Sequence, residues 1–125
     1  MAKVMVVDDA VSELKLMESI LRSAGHQVSC YEDGQELEQH VADERPDVIL
    51  LDIVMPNRNG YEVLRGMRRD PRTKDTPVVF VSSKNQESDR IWGKRQGAAD
   101  YLPKPFTAEQ LLSMVRQFPP ASRPA

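Results

Sequence analysis

The chain has 125 residues, 40% hydrophobic and 29% charged, with 17 Lys and Arg against 19 Asp and Glu for a formal net charge of −2. That balance suits one ordinary globular domain rather than a disordered chain, and its sign excludes nucleic acid as a bulk electrostatic partner. A single cysteine, Cys30, leaves no internal disulfide and no cysteine-held metal cluster, which points to a reducing, cytoplasmic setting. The opening MAKVMVVDDA turns acidic too soon for a signal peptide, and no run approaches the roughly 20 apolar residues of a membrane span.

Four β-branched runs predict strands at Lys3–Val7, Gln27–Tyr31, Asp47–Leu51 and Pro77–Ser82, with a weaker fifth at Asp100–Pro103. Helical spacing fills the gaps. Leu14, Met17, Leu21 and Ala24 recur at three and four before Gly25 stops the first helix. Gly34 to Ala42 holds Leu37 and Val41, and Tyr61 to Arg69 holds Val63, Leu64 and Met67 before Asp70-Pro71-Arg72 breaks it. Glu87 to Gln96 is weakly amphipathic with Ile91 and Trp92; Ala108 to Phe118 carries Leu111, Leu112, Val115 and Phe118. Strands alternating with helices predict βαβ units and a parallel sheet, and unbroken apolar strands predict cover on both faces. The expected fold is a five-stranded, doubly wound α/β domain over residues 1–118, with a disordered tail from Pro119 to Ala125.

In such a sheet, ligands gather beyond the carboxyl ends of the strands. The first strand leads into Asp8 and Asp9, the third into Asp52, the fourth ends on Ser82 before Ser83, and the fifth runs to Lys104. An acid at one strand end is usually a cap or turn residue. Three carboxylates, a hydroxyl and an ammonium on one rim form a set with a chemistry of its own. The acids would repel in a partly desolvated site, and a hard divalent cation such as Mg²⁺ would relieve that. An aspartate beside Mg²⁺ can act as a nucleophile and form an acyl phosphate. Ser82 could hydrogen-bond a phosphoryl oxygen, and Lys104 could pair first with Asp52 and then with the phosphoryl group.

The stretches VVDDA, LLDIVMPNRNGYEVL, VFVSSK and GAADYLPKPF, in that order, resemble the receiver domain of two-component response regulators, from about Lys3 to Phe118. The resemblance implies the flavodoxin-like strand order 2-1-3-4-5. It implies that Asp52 is phosphorylated by a sensor histidine kinase or its phosphotransfer domain. Asp9, Asp52 and the backbone carbonyl of Val54 would hold Mg²⁺, with Mn²⁺ as a substitute and Asp8 acting through a water. Ser82 and Lys104 take the family's hydroxyl and lysine positions, and Tyr101 the aromatic position that swings inward on activation. A cis peptide is implied between Lys104 and Pro105. Trp92, Tyr101 and Lys104 would mark a partner face made by the fourth helix, fifth strand and fifth helix.

With nothing after the fifth helix, the resemblance is to single-domain, chemotaxis-type regulators, and SSKNQESDRIWGKRQGAADYLPKPF is similar to versions from twitching-motility and pilus pathways. The expected function is a signalling switch rather than an enzyme, acting on a protein target. Alternatives are a phosphate sink without a target and a constitutive, unphosphorylated interaction module. An aspartate-dependent phosphohydrolase is disfavoured, because the acid it needs two residues after the nucleophile is Val54. Val54 and Lys84 depart from many relatives at positions flanking the acceptor and the hydroxyl, and are expected to alter the dephosphorylation rate. Plainer readings stand for the rest: Ser83 as a loop residue, Cys30 as a buried hydrophobe, His26 and His40 on the surface, and Arg68–Asp75 as a solvated loop. Trp92 could equally be helix packing, and Tyr101 a static strand residue.

Overall fold

A computed structural model describes residues 1–84 and 86–120. The residues from 121 onward of the expected C-terminal tail lie outside that range. Elements alternate as β1 (Lys3–Val7), α1 (Val11–Ser23), β2 (Gln27–Tyr31), α2 (Leu37–Glu44), β3 (Val48–Leu51), α3 (Gly60–Arg69), β4 (Val78–Ser82), α4 (Glu87–Arg95), β5 (Asp100–Pro103) and α5 (Ala108–Arg116). The strands form one sheet, all parallel, in the order β2-β1-β3-β4-β5. That is the expected doubly wound order, with its switch point between β1 and β3.

Each apolar strand feeds two cores at once, because successive side chains leave opposite faces. Met5, Val7, Ile49, Leu51, Val78 and Phe80 pack with Leu37 and Val41 of α2 and Val63, Leu64 and Met67 of α3. Their neighbours Val4, Val6, Val48, Leu50, Val79 and Val81 pack with Leu14, Met17 and Leu21 of α1 and Leu111 and Val115 of α5. A one-residue slip in any central strand would exchange the two faces, so burial fixes the register.

The helix ends follow local chemistry. α1 stops at Gly25, whose φ of 89° suits glycine, and His26 N–H donates to Leu21 O while Gly25 N–H donates to Arg22 O. This is the six-to-one and five-to-two pattern of a left-handed cap. Gly97, at φ 106°, ends α4 the same way, with Ala98 N–H on Gly93 O and Gly97 N–H on Lys94 O. Capping boxes start α3 at Asn59 with Glu62 and α5 at Thr107 with Gln110.

Several expectations need correction. The second helix starts at Leu37 rather than Gly34, because Glu36 is left-handed at φ 56° and the chain turns through 34–36 first. On α4, Ile91 and Trp92 are each about half exposed, and the helix meets the core through Gly93, where a Cβ would lie 3.0 Å from the Phe80 ring. The Arg68–Asp75 stretch is largely exposed, as expected, but it is anchored at two points. Arg68 donates to the carbonyls of Lys74, Thr76 and Gly97 at 3.0, 2.8 and 3.0 Å, and the buried Thr73 hydroxyl donates to Met67 O. Cys30 is half-buried rather than buried. His26 Nδ1 accepts from Ala2 N–H, and His40 stacks on Tyr31 at 4.2 Å.

Candidate functional site

β1 and β3 pair in register up to Val7 and Leu51, so the next residues, Asp8 and Asp52, emerge side by side. The Asp52 N–H continues the ladder to Val7 O at 2.9 Å. On the other side of β3, β4 ends in Ser82, and Lys104 N–H donates to Ser82 O at 2.8 Å as β5 runs out. The backbone ladder alone therefore delivers two acids, a hydroxyl and an ammonium to one rim. Asp9 is added by the turn into α1. A cleft of about 450 Å³ opens there, lined by Asp8, Asp9, Asp52, Ser83 and Lys104 together with Phe106.

The carboxylates of Asp8, Asp9 and Asp52 each offer an oxygen within 4.8 Å of the others. Asp8 and Asp52 are buried and Asp9 is exposed. Asp8 Oδ1 accepts from Ala10 N–H at 3.0 Å, and its Oδ2 accepts from Lys104 Nζ at 2.6 Å. Asp52 Oδ1 accepts from its neighbour Ile53 N–H at 2.8 Å, while its Oδ2 lies 3.9 Å from Lys104 Nζ. Lys104 thus pairs first with Asp8, not with Asp52 as the sequence suggested. Asp8 is the more buried acid, and its ion pair is the shorter contact.

The electrostatics follow from this packing. Burial, then the charge of Asp8, pushes the Asp52 carboxyl up to about 6, against the opposing pull of Lys104. Burial works against the Lys104 ammonium, but the Asp8 hydrogen bond and the Asp52 charge outweigh it and raise its pKa. Three crowded acids facing a single ammonium leave a local excess of negative charge. A hard divalent cation with oxygen ligands fits that donor set.

Ser82 is fully buried, and its Oγ accepts from Lys84 N–H at 3.3 Å. Tyr101 is buried rather than half-buried or swung out, and its hydroxyl donates to the Lys84 carbonyl. An edge-to-face run links Tyr101 to Phe80, Phe80 to Tyr61 and Tyr61 to the exposed Trp92 at 6.4, 5.3 and 6.5 Å. Val54 exposes its side chain between the buried Ile53 and Met55. The peptide from Lys104 to Pro105 is cis. At Gly60 a Cβ would sit 2.4 Å from Asp52 O, so α3 starts hard against the main chain of that acid, and only glycine fits.

Sequence reasoning missed two features. One is the Ile53 amide that holds Asp52 Oδ1, which no side-chain pattern can announce. The other is a pair across the β3–α3 loop, Arg58 with Glu38, at 2.6 Å for each of its two contacts. The glycines Gly34 and Gly66 beside that pair were its available signal.

Comparison with known proteins decides the family. The response regulator receiver domain family matches residues 4–116. The chain belongs to that family. Among receivers, it is 44% identical over 115 residues to PilH of Pseudomonas aeruginosa, covering 92% of this chain and 95% of that protein. It is 37% identical to part of the response regulator PleD of Caulobacter vibrioides, covering 25% of it. Its fold superposes on the chemotaxis protein CheY4 of Vibrio cholerae with a TM-score of 0.87 and 33% identity, over 95% of this chain and 99% of that one. The receiver domain of a Pseudomonas aeruginosa sensor histidine kinase, solved with magnesium coordinated in its cleft, superposes at 0.85 with 26% identity, over 94% and 96% of the two chains. Receivers are signalling switches, and no helix among the described residues of this one is long and apolar enough to cross a membrane.

Proposed function

We propose that this receiver is a phosphorylation switch whose acceptor is Asp52. The observation that carries the reading is the meeting of three carboxylates within 4.8 Å, beside a lysine 2.6 Å from Asp8 and 3.9 Å from Asp52. In the reaction, a carboxylate oxygen of Asp52 attacks the phosphorus of a phosphohistidine on a histidine kinase or its phosphotransfer domain. The P–N bond breaks, a P–O bond forms, and the leaving imidazole takes up a proton. Asp9, Asp52 and the Val54 carbonyl would hold Mg²⁺ or Mn²⁺, with Asp8 acting through a water. Bound there, the ion neutralises the negative charge of the acids and of the incoming phosphoryl oxygens. Asp52 Oδ1 is held by Ile53 N–H, which fixes the carboxylate plane. Lys104, 2.6 Å from Asp8 and 3.9 Å from Asp52, would move its charge toward the phosphoryl group.

The readout follows from the Ser82 and Tyr101 contacts. A new anion of about −1.5 to −2 charge at Asp52 draws the Ser82 hydroxyl toward it. Lys84 then loses the Ser82 Oγ that accepts its N–H, and its carbonyl is what Tyr101 holds. With Tyr101 already inward, Lys84 is what shifts. A downstream protein would sense it on the face where Trp92 is exposed, with the buried Tyr101 and the largely covered Lys104 acting from beneath. The 44% identity to PilH supports a chemotaxis-type or pilus-motility pathway in the cytoplasm.

Wild-type protein and Asp52→Ala are incubated with acetyl phosphate, with and without Mg²⁺, and weighed by mass spectrometry. A gain of one phosphoryl group in the wild type alone, dependent on the metal, supports the reading. No gain by folded wild-type protein would favour a constitutive interaction module instead.

A further inference from the structure

The turn that follows the acceptor strand is tied down from outside the site. Its backbone is tight: Asn57 is left-handed at φ 69°, and Arg58 N–H closes onto Pro56 O at 2.7 Å. From this turn the Arg58 side chain reaches back across 20 residues of sequence to α2. Nη1 donates to Glu38 Oε1 and Nη2 to Glu38 Oε2, each at 2.6 Å, and Nη1 also donates to Gly34 O at 3.0 Å. The two side chains are only 24% and 21% exposed. This is a forked, charge-assisted contact in a partly dry setting, the kind whose geometry is specified as well as its energy.

Space has been cleared for it. Gly66 lies inside α3, where glycine costs helix stability, and a Cβ there would lie 2.1 Å from Arg58 Nη2 and 2.5 Å from Glu38 Oε2. Gly34, whose carbonyl accepts from Arg58 Nη1, is closed to a side chain as well: a Cβ would meet Val63 Cγ2 at 2.5 Å. The β2–α2 turn, α2, the β3–α3 loop and α3 thus converge on one guanidinium.

We infer that Arg58 is a positioning residue for the cation site, clamping through Glu38 the loop that carries Val54. The inference rests on the metal-site reading above. Val54 lies between two anchors of that loop. One is Ile53, whose carbonyl accepts from Gly60 N–H at 2.8 Å, and the other is Arg58. Releasing the second lets the Val54 carbonyl wander without touching any carboxylate. Arg58 itself takes no part in phosphoryl transfer, so its loss acts on metal binding first and on phosphorylation only through it.

Magnesium affinity is measured by calorimetry for wild type, Arg58→Ala, Arg58→Lys and Glu38→Gln. Amide exchange at Val54 and Met55 is followed by NMR on the metal-free proteins. Loss of a group that orients a ligand typically weakens metal binding by about tenfold or more, and Arg58→Ala is expected to do so while Val54 and Met55 exchange faster. Arg58→Lys keeps the charge but not the fork, and is expected to lose about threefold or more. A clamp that only stabilises the fold would lower the melting temperature and leave affinity within about twofold of wild type. That result in Arg58→Lys, or in folded Arg58→Ala, overturns the inference. Wild type that binds no magnesium overturns the underlying site reading instead, so the two failures are told apart.

Discussion

Lys104 Nζ and Asp8 Oδ2 lie 2.6 Å apart, although 96 residues separate them in the chain. The contact closes the rim of the sheet, joining the end of β1 to the end of β5 across β3 and β4. It also brings the ammonium nearer to Asp8 than to Asp52, so that burial and the Asp8 charge outweigh its pull on the Asp52 carboxyl.

Lys104 competes with any cation for the same acids. Lys104→Gln is therefore expected to raise Mg²⁺ affinity by about threefold or more, since a unit charge near 4 Å is worth several times RT even at an effective dielectric of about 20. Calorimetric titration at fixed ionic strength checks this. Weaker binding in the variant would mean that Lys104 organises the acids rather than opposing the metal.

Asp52 gives the metal-free protein a definite pH dependence. Its folded-state pKa of about 6 lies above the ordinary 3.8. Such a raised acid contributes its stability in full below the ordinary value, and loses it as pH rises through about 6. Melting of chelator-treated protein should accordingly fall between pH 4 and pH 7, and Asp52→Asn should flatten that fall. At pH 7 the Asn variant is expected to be more stable by roughly 1–3 kcal/mol, the scale of a two-unit shift discounted for partial solvation. Mg²⁺ at 100 times its Kd should restore about 2.7 kcal/mol to the wild type. An Asn variant less stable than wild type at pH 7 would contradict the charge crowding.

Glu38 has the opposite sign. The Arg58 hydrogen bond holds its carboxyl below the usual 4.5, so the pair's contribution is present above that value and is lost as pH falls through the lower, folded-state one. An NMR titration of the Glu38 carboxyl should move upward toward 4.5 in Arg58→Ala. An unchanged titration would mean that the fork does not persist in solution.

Gly66 and Arg58 should couple strongly. Alanine ordinarily gains about 1 kcal/mol over glycine inside a helix. In wild type, Gly66→Ala is expected to lose that gain by displacing the Arg58–Glu38 pair. In the Arg58→Ala background the same change should stabilise by about 1 kcal/mol. Urea denaturation of the double-mutant cycle reads the non-additivity directly; strict additivity would show that the pair does not occupy the space over Gly66.

Tyr101→Phe removes the hydroxyl from the Lys84 carbonyl. It should cost about 1 kcal/mol of stability, and leave the extent of phosphorylation by acetyl phosphate unchanged, because the phenol touches no carboxylate of the cleft. A variant that can no longer be phosphorylated would place Tyr101 in the chemistry rather than in the readout.

The strands were legible because burial on both faces writes itself into unbroken apolar runs such as Val48–Leu51. Asp8, Asp52 and Ser82 were legible because each is the first polar group of or after such a run. What sequence could not show arises from backbone and from long-range packing. Glu36 turns left-handed with no glycine to announce it. The weak amphipathicity of α4 leaves open which of its sides turns inward; Gly93 takes that position, with Ile91 and Trp92 half exposed. Arg68 sits in a run of charges, and only the fold reveals the three carbonyls that receive it. The pairing of Lys104 with Asp8 rather than Asp52 is a matter of ångströms that motif order does not encode.

The most direct test of Asp52 as the acceptor traps the modified residue. Protein treated with acetyl phosphate and Mg²⁺ is reduced with borohydride, which converts an aspartyl phosphate to homoserine, and is then digested and sequenced by mass spectrometry. Homoserine at position 52, and at neither 8 nor 9, is the predicted result. Homoserine at position 8 or 9, or none in protein that has gained phosphoryl mass, would contradict it.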